Sequence, residues 1–346
     1  MKINKSTISK MLDIMDRFNT GEDIRKDLCE ILDHEDYKVQ FEFFQKHEAN
    51  IGFTKEEYID FFINIRNIDP SKIASKALRY RINDLLHILD NIDYYRTILK
   101  KLDKINDAAI SDAINKAKYG LPSNIDLGDV KLIFAIGVGV TGGFSYKNYT
   151  YYDLKVTVAD KTIQGIINTI AHELHHRGYK IMFNNLENRE LAKMMDSALV
   201  YFLSGEGCAV KYGNNVEGIL TKKIYEKQEM TINRESYEYY ISNFNMIYDV
   251  FKSDIKKIRD GEIKNIEELE KLYMDNYYYR DVIINGKMHK FYLKNPIAYY
   301  FGADIWGLIH DVYGRETVFE LLKHPKHFFE YYNKALISKN RKDLCI

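Results

Sequence analysis

The chain reads as a mainly α-helical protein with a small antiparallel or mixed β-sheet, an α+β fold. Three observations predict this. Prolines number only four in 346 residues, so helices can run long without interruption. Apolar residues recur at three- and four-residue spacing over most of the length. One stretch, from Val130 to Asp160, departs from that period, being rich in β-branched and aromatic residues and broken by glycines.

Residues 1 to about 117 read as successive amphipathic helices. In TKEEYIDFFINIRNI the residues Tyr58, Phe61, Phe62 and Ile65 share one face, and Thr54 followed by Glu57 forms a capping box at the start. SDAINKAKYGLPSN ends the run, with Gly120 and Pro122 as stop signals. A boundary is expected there, separating an N-terminal helical region, 1–120, from a second domain, 121–346. KLIFAIGVGVTGGFSYKNYTYYDLKVTVAD predicts a few strands between about 130 and 158, with a polar turn at Lys147 and Asn148. A helix follows over about 161–178, with Asp160 placed to cap its start and Gly178 to end it.

LENRELAKMMDSALVYFLSGEGCAVKYG predicts one long helix or two abutting ones, and INRESYEYYISNFNMIYDVFKSDIKKI another. VIINGKMHKFYL reads as a hairpin, with Asn285 and Gly286 suited to a type I′ turn. PIAYYFGADIWGLIHDVYG and the last helices complete the C-terminal part.

Lysine plus arginine equals aspartate plus glutamate at 50 each, so the chain has no basic excess to hold phosphate backbones or anionic membranes. No stretch reaches the apolar length of a membrane span, and the opening MKINKSTISKMLDIMDRFNT has no apolar core of the kind a secretion signal carries. A protein kept in the cytosol is expected, without nucleic acid or membrane as partner. Cys29, Cys208 and Cys345 are odd in number and far apart, which speaks against a disulfide framework and against a thiolate zinc site.

TIAHELHHRGYK carries the chemistry. HELHH, residues 172–176, satisfies H-E-x-x-H, and histidines four apart on an α-helix differ by only about 40° around its axis, so His172 and His176 can reach one ion. Glu173 flanks that ion position without being a ligand, where a base acting on water must stand. His175 lies about 60° beyond His172 on the other side and is expected to pack. Ile163, Ile166, Ile167, Ile170 and Leu174 fall on the opposite face, so one side of the helix is built for a core and the other for polar groups. His34 and His47 are also followed by glutamate, but Lys38 and Ile51 stand four residues on, and both histidines read as surface positions.

A catalytic zinc takes three protein ligands and leaves a fourth position open. FLSGEGCAV offers Glu206, a lone acid in an apolar segment, which a cation would satisfy; Gly205 and Gly207 beside it admit a close backbone. Glu187, Glu190 and Asp196 compete. The first two sit in a charged run, and Asp196 suits a hydrogen bond to a ligand histidine better than ligation.

HELHH followed about thirty residues later by SGEGCA resembles the gluzincin metallopeptidases, and more narrowly is similar to bacterial families of zinc-dependent peptidases that are themselves uncharacterised. Those combine HExxH, an EGxA-type segment and a C-terminal helix containing Tyr-Gly. The resemblance covers roughly residues 130–335 and implies a zincin-like core, with His172, His176 and Glu206 as Zn2+ ligands and Glu173 as the general base. It also implies a peptide or small protein as substrate. One departure stands out: where several gluzincins have an aspartate four residues after the ligand glutamate, this chain has Val210.

The oxyanion that forms at the scissile carbonyl needs a donor. NPIAYYFGADIWG is the best source, with Tyr300 ahead of Tyr299 because the resemblance favours a tyrosine one or two residues before Gly302; His289 and His310 are alternatives. A substrate could lie as an added strand along the edge of the sheet in residues 131–158. Gly137, Gly139 and Gly142 match G-x-G-x-x-G, but the strand-like sequence after them excludes a dinucleotide site, which must open a helix. Two further readings are a zinc hydrolase of a non-peptide amide or ester, and a helical interaction protein whose metal is structural or vestigial.

Overall fold

β1 (Lys2–Asn4) opens the chain and pairs in parallel with β2 (Lys131–Ala135), more than a hundred residues away. The structure, a computed structural model, describes residues 1–47, 53–73, 75–139, 142–183, 191–226, 234–284, 287–292 and 297–346. It divides into two compact units, Met1–Ser111 with Leu127–Ile167, and Asp112–Asp126 with Asn168–Ile346.

In the first unit, β2 also pairs in parallel with β4 (Tyr149–Asp153), and β4 pairs antiparallel with β3 (Gly143–Tyr146), giving a mixed sheet of order β1-β2-β4-β3. The expected strands of the 130–158 region are these three. β1 is a correction to the reading of residues 1–117 as helices alone, because a three-residue strand is too short to show a period. The helices α1 (Ser6–Asn19), α2 (Arg25–Leu32), α3 (Glu35–His47), α4 (Lys55–Ile63), α5 (Lys76–Asp90) and α6 (Ile92–Leu102) supply the apolar faces of this unit.

At α4 the capping box forms as expected: the Glu57 amide donates to Thr54 Oγ1 at 3.1 Å and the Thr54 amide to Glu57 Oε2 at 2.7 Å. The hydroxyls of Tyr37 and Tyr58, both fully buried, donate to the carbonyls of Ile136 and Gly137, so these two backbone acceptors after β2 are satisfied inside the core. Strand β3 begins directly after Gly142, and among the described residues no helix opens at the glycine-rich stretch.

α7 (Asp107–Tyr119) ends at the expected Gly120. α8 runs Ile163–Phe183, five residues beyond the predicted stop. Gly178 is buried in the helix interior, where packing outweighs the roughly 1 kcal/mol that glycine costs. Its cap also differs. Thr162 Oγ1 accepts the Gly165 amide at 3.1 Å, while Asp160 closes the preceding helical turn, Leu154–Ala159.

The second unit centres on α9 (Met195–Ala209), whose last residue leads into a widened turn over Val210–Asn214. The expected single helix over 232–258 is two, α10 (Arg234–Ser242) and α11 (Phe244–Arg259). Asn243 breaks it: its side-chain amide donates to the Tyr239 carbonyl at 2.8 Å, the local bonding by which a short polar side chain competes with the helix. α12 (Ile266–Tyr273) precedes a hairpin of β5 (Tyr279–Ile284) and β6 (Lys287–Tyr292), antiparallel with Ile284 opposite Lys287; the expected turn residues Asn285 and Gly286 lie outside the described residues. α13 (Ile297–Tyr313), α14 (Arg315–Lys323) and α15 (Phe328–Ser338) complete the unit. Among the described residues no helix is long and apolar enough to cross a membrane.

α9 and α13 touch backbone to backbone. A Cβ on Gly207 would lie 2.3 Å from the Gly302 carbonyl carbon, and one on Gly302 would lie 2.2 Å from the Leu203 carbonyl oxygen. The Trp306 indole donates to the Val200 carbonyl at 2.9 Å along the same contact. Asp304, fully buried on α13, accepts from the amides of Ile219 and Leu220 and from the Tyr240 hydroxyl.

Gly207→Ala should therefore destabilise the protein by about 1–3 kcal/mol in urea unfolding, since the helices must part. Gly205→Ala, at a position with nothing within 4 Å of the added methyl, should be neutral or gain up to about 1 kcal/mol. Burial pushes the Asp304 carboxyl up to about 6, against the pull of its three donors. The folded state then holds a proton that the unfolded chain has released above about pH 4, so the stability Asp304 contributes is full below pH 4 and lost as the pH rises through 6. Unfolding measured from pH 4 to 7 should show the Asp304→Asn deficit relative to wild type shrinking by up to about 1.4 kcal/mol per pH unit between about pH 4 and 6 and levelling off above.

Candidate metal centre

α8 sets His172 and His176 one turn apart with their rings nearly perpendicular, centroids 4.6 Å apart, and their Nε2 atoms 3.0 Å from each other. α9 brings in Glu206, whose Oε2 lies 3.1 Å from His176 Nε2 and 3.4 Å from His172 Nε2. Among the described residues these three form the one group of three such donors placed to share an ion. Zinc bonds these ligand types at about 2.0–2.2 Å, and a tetrahedral array on such bonds spaces its donors about 3.3–3.5 Å apart. The observed triangle, with sides of 3.0, 3.1 and 3.4 Å, comes within about 0.3 Å of that spacing, and the donor set of two imidazoles and a carboxylate is one zinc accepts.

The electrostatics of the three groups agree with a place for a cation. Burial would raise the Glu206 carboxyl, but the charge and hydrogen bonds of His176 and His172 overcome it and hold the acid well below the usual carboxylate range. Burial would likewise lower His176, and the neighbouring Glu206 carboxylate, followed by Glu173, raises it above its ordinary value. Glu206 is thus held as a carboxylate, the form in which it can meet a positive charge.

Glu173 is nearly buried beside His176. His172 turns its other nitrogen away: Nδ1–H donates to Asn214 Oδ1 at 2.9 Å, leaving the Nε2 lone pair facing Glu206. His175 packs elsewhere, its Nε2–H donating to the Gly120 carbonyl at 3.0 Å and its ring stacked on Tyr212. Burial, followed by the neighbouring His176, pushes His175 down to about 3, so it is a neutral side chain.

The tyrosines separate. Tyr299 lies parallel to the His172 ring, interplanar angle 6° and centroids 6.0 Å apart. Tyr300, one residue on, points into the core and packs against Tyr237 and Tyr240. Tyr278 stands edge-on to Tyr299, and its phenol is raised well above its ordinary pKa by burial and then by the charge of Glu206. His310 is bonded to the Tyr212 hydroxyl at 3.0 Å, and burial lowers it. Asp196 accepts the Ser197 amide at 2.7 Å and pairs with Arg259 at 3.1 Å, so it supports no histidine here. The side chain of His289 and both Glu187 and Glu190 lie outside the described residues.

Two side chains at the site escaped the sequence reading. Tyr278 is one of 28 tyrosines, and nothing in its neighbours marks it. Asn214 had a signal, a pair of asparagines after a glycine at the end of a buried apolar helix, where polar residues need partners.

The fold is α+β, and the His172–His176–Glu206 triangle is a donor set that could hold a metal ion. A family model described as "Putative zinc dependent peptidase (DUF5700)" matches residues 30–341, and this chain belongs to that family. No curated protein and no solved structure matches it.

Stripped of metal and titrated with zinc, the protein should bind about one ion per chain. His172→Ala and Glu206→Gln should each weaken that binding by at least a hundredfold, as read by competition with a chromogenic chelator.

Proposed function

We propose that this chain is a zinc-dependent peptidase that hydrolyses peptide bonds at the His172–His176–Glu206 centre. The observation that carries the reading is the donor triangle, 3.0 to 3.4 Å on its sides, with Glu173 one residue from His172 on the same helix. Membership of a family described as zinc-dependent peptidases supports the peptide as substrate over another amide or an ester.

Zinc held there supplies a Lewis acid and lowers the pKa of the water it binds. The chain's own groups carry the protons. The Glu173 carboxylate accepts a proton from the attacking water and delivers it to the departing amine nitrogen, the two halves of one general acid–base cycle. Tyr299, parallel to the His172 ring, is the preferred donor to the carbonyl oxygen as that oxygen gains charge. Tyr278, whose phenol is held protonated by burial and by Glu206, adds a second hydroxyl to the same wall. The structural-metal reading has less support, because such sites close with four protein ligands and the described residues bring three together.

Glu173→Gln should keep its zinc and lose roughly 10²–10⁴-fold in kcat on a fluorogenic peptide mixture; a variant that still cuts at more than a tenth of the wild-type rate removes Glu173 from the mechanism. Tyr299→Phe should cost about 10²-fold in kcat, while Tyr300→Phe should change it less than about threefold.

A further inference from the structure

In α9 the residue one ordinary turn after Glu206 is Val210, and it is buried in the apolar core, so it offers His172 nothing. The helix then changes character. Residues Val210–Asn214 form a π-helical turn, with i→i+5 bonding, and Asn215 leaves it in the left-handed conformation at φ +53°. In an unbroken α-helix Asn214 would stand about 80° around the axis from Glu206. A π-helical turn takes more residues to close, so four steps of about 80° in place of 100° bring Asn214 back to within about 10° of the Glu206 direction. The widened turn thus puts an amide on the face that carries the carboxylate.

The surroundings hold that amide in place. Gly213 lies against the backbone of His172, where an added Cβ would come within 2.9 Å of the His172 nitrogen and Cα. Asn215 Oδ1 accepts the amides of Ile224 and Tyr225. The buried Lys211 ammonium donates to the carbonyls of Val216 and Lys222. The segment is anchored on three sides, and its contact with His172 is both backbone packing and a side-chain hydrogen bond.

We propose that Asn214 is the positioning residue of His172: by accepting from Nδ1–H it selects the tautomer with a free Nε2 lone pair and fixes the ring so that this lone pair faces His176 and Glu206. The assignment rests on reading that triangle as a metal centre. A metal-binding histidine gains affinity when its second nitrogen is held by an acceptor, and loss of such a partner weakens metal binding by about 10–100-fold. The oxygen is the part of Asn214 that matters, so an aspartate in its place keeps the function and an alanine does not.

The test uses the full chain, stripped of metal, in wild-type, Asn214→Ala and Asn214→Asp forms, with zinc affinity read by chelator competition and thermal melting read without zinc. Expected are affinity about 10–100-fold weaker for Asn214→Ala, affinity within about threefold of wild type for Asn214→Asp, and zinc-free melting unchanged across the three. Equal zinc affinity in Asn214→Ala and wild type overturns the assignment, as does an equal loss in Asn214→Asp, or a loss matched by a collapse of the zinc-free fold. A wild-type chain that takes up no zinc overturns the metal reading, and the assignment with it; a difference confined to Asn214→Ala leaves that reading standing.

Discussion

A carboxylate taken out of water must find a compensating charge, and in this protein Glu206 is that carboxylate. It sits near the end of an otherwise apolar helix, mostly shielded, with two imidazole nitrogens as its nearest polar atoms. An unpaired buried carboxylate costs several kcal/mol, more than a domain of ordinary stability can leave uncompensated. The neighbouring imidazoles meet that need by charge and hydrogen bonding, which drives the acid down, and the carboxylate in turn holds His176 up. The geometry of the second unit follows from holding these three groups together.

Holding them requires two close approaches that only glycine allows. At the α9–α13 crossing, Gly207 and Gly302 let the helices meet backbone to backbone, and the residues beside that contact are Glu206 on one helix and, a turn earlier on the other, Tyr299. At Gly213 the chain leaving α9 meets the His172 backbone in the same way. Glu206, Tyr299 and Asn214 are thus held by main-chain contact, which varies less than side-chain packing because it has no rotamers to change.

The features legible in the sequence were those that depend on local spacing. HELHH announces its geometry because i and i+4 meet on any α-helix, and Glu206 announces itself as a charge where the surrounding period demands apolar residues. The Thr54–Glu57 capping box is local in the same sense. The features that escaped depend on distant partners. β1 is a strand only because Lys131–Ile133 lies beside it. Gly178 continues a helix because its surroundings are buried, and Tyr299 and Tyr300 differ in direction by one residue step that no composition rule distinguishes. Asn214 needed the π-helical turn to reach His172, and a change of helical pitch leaves no periodic trace over five residues.

Counting formal charge at the His172–His176–Glu206 cluster shows what kind of ion it would match. Glu206 and Glu173 bring two negative charges into a shielded space, and the two imidazoles, when both are free to ligate, bring none. A divalent cation balances that sum, whereas a monovalent one leaves a net charge in low dielectric. Asn214 supplies an acceptor oxygen to the His172 ring and leaves that sum unchanged. Valine at 210 and asparagine at 214 are then one solution: an apolar residue completes the core where the helix first comes round, and a neutral amide reaches the histidine on the next, wider turn.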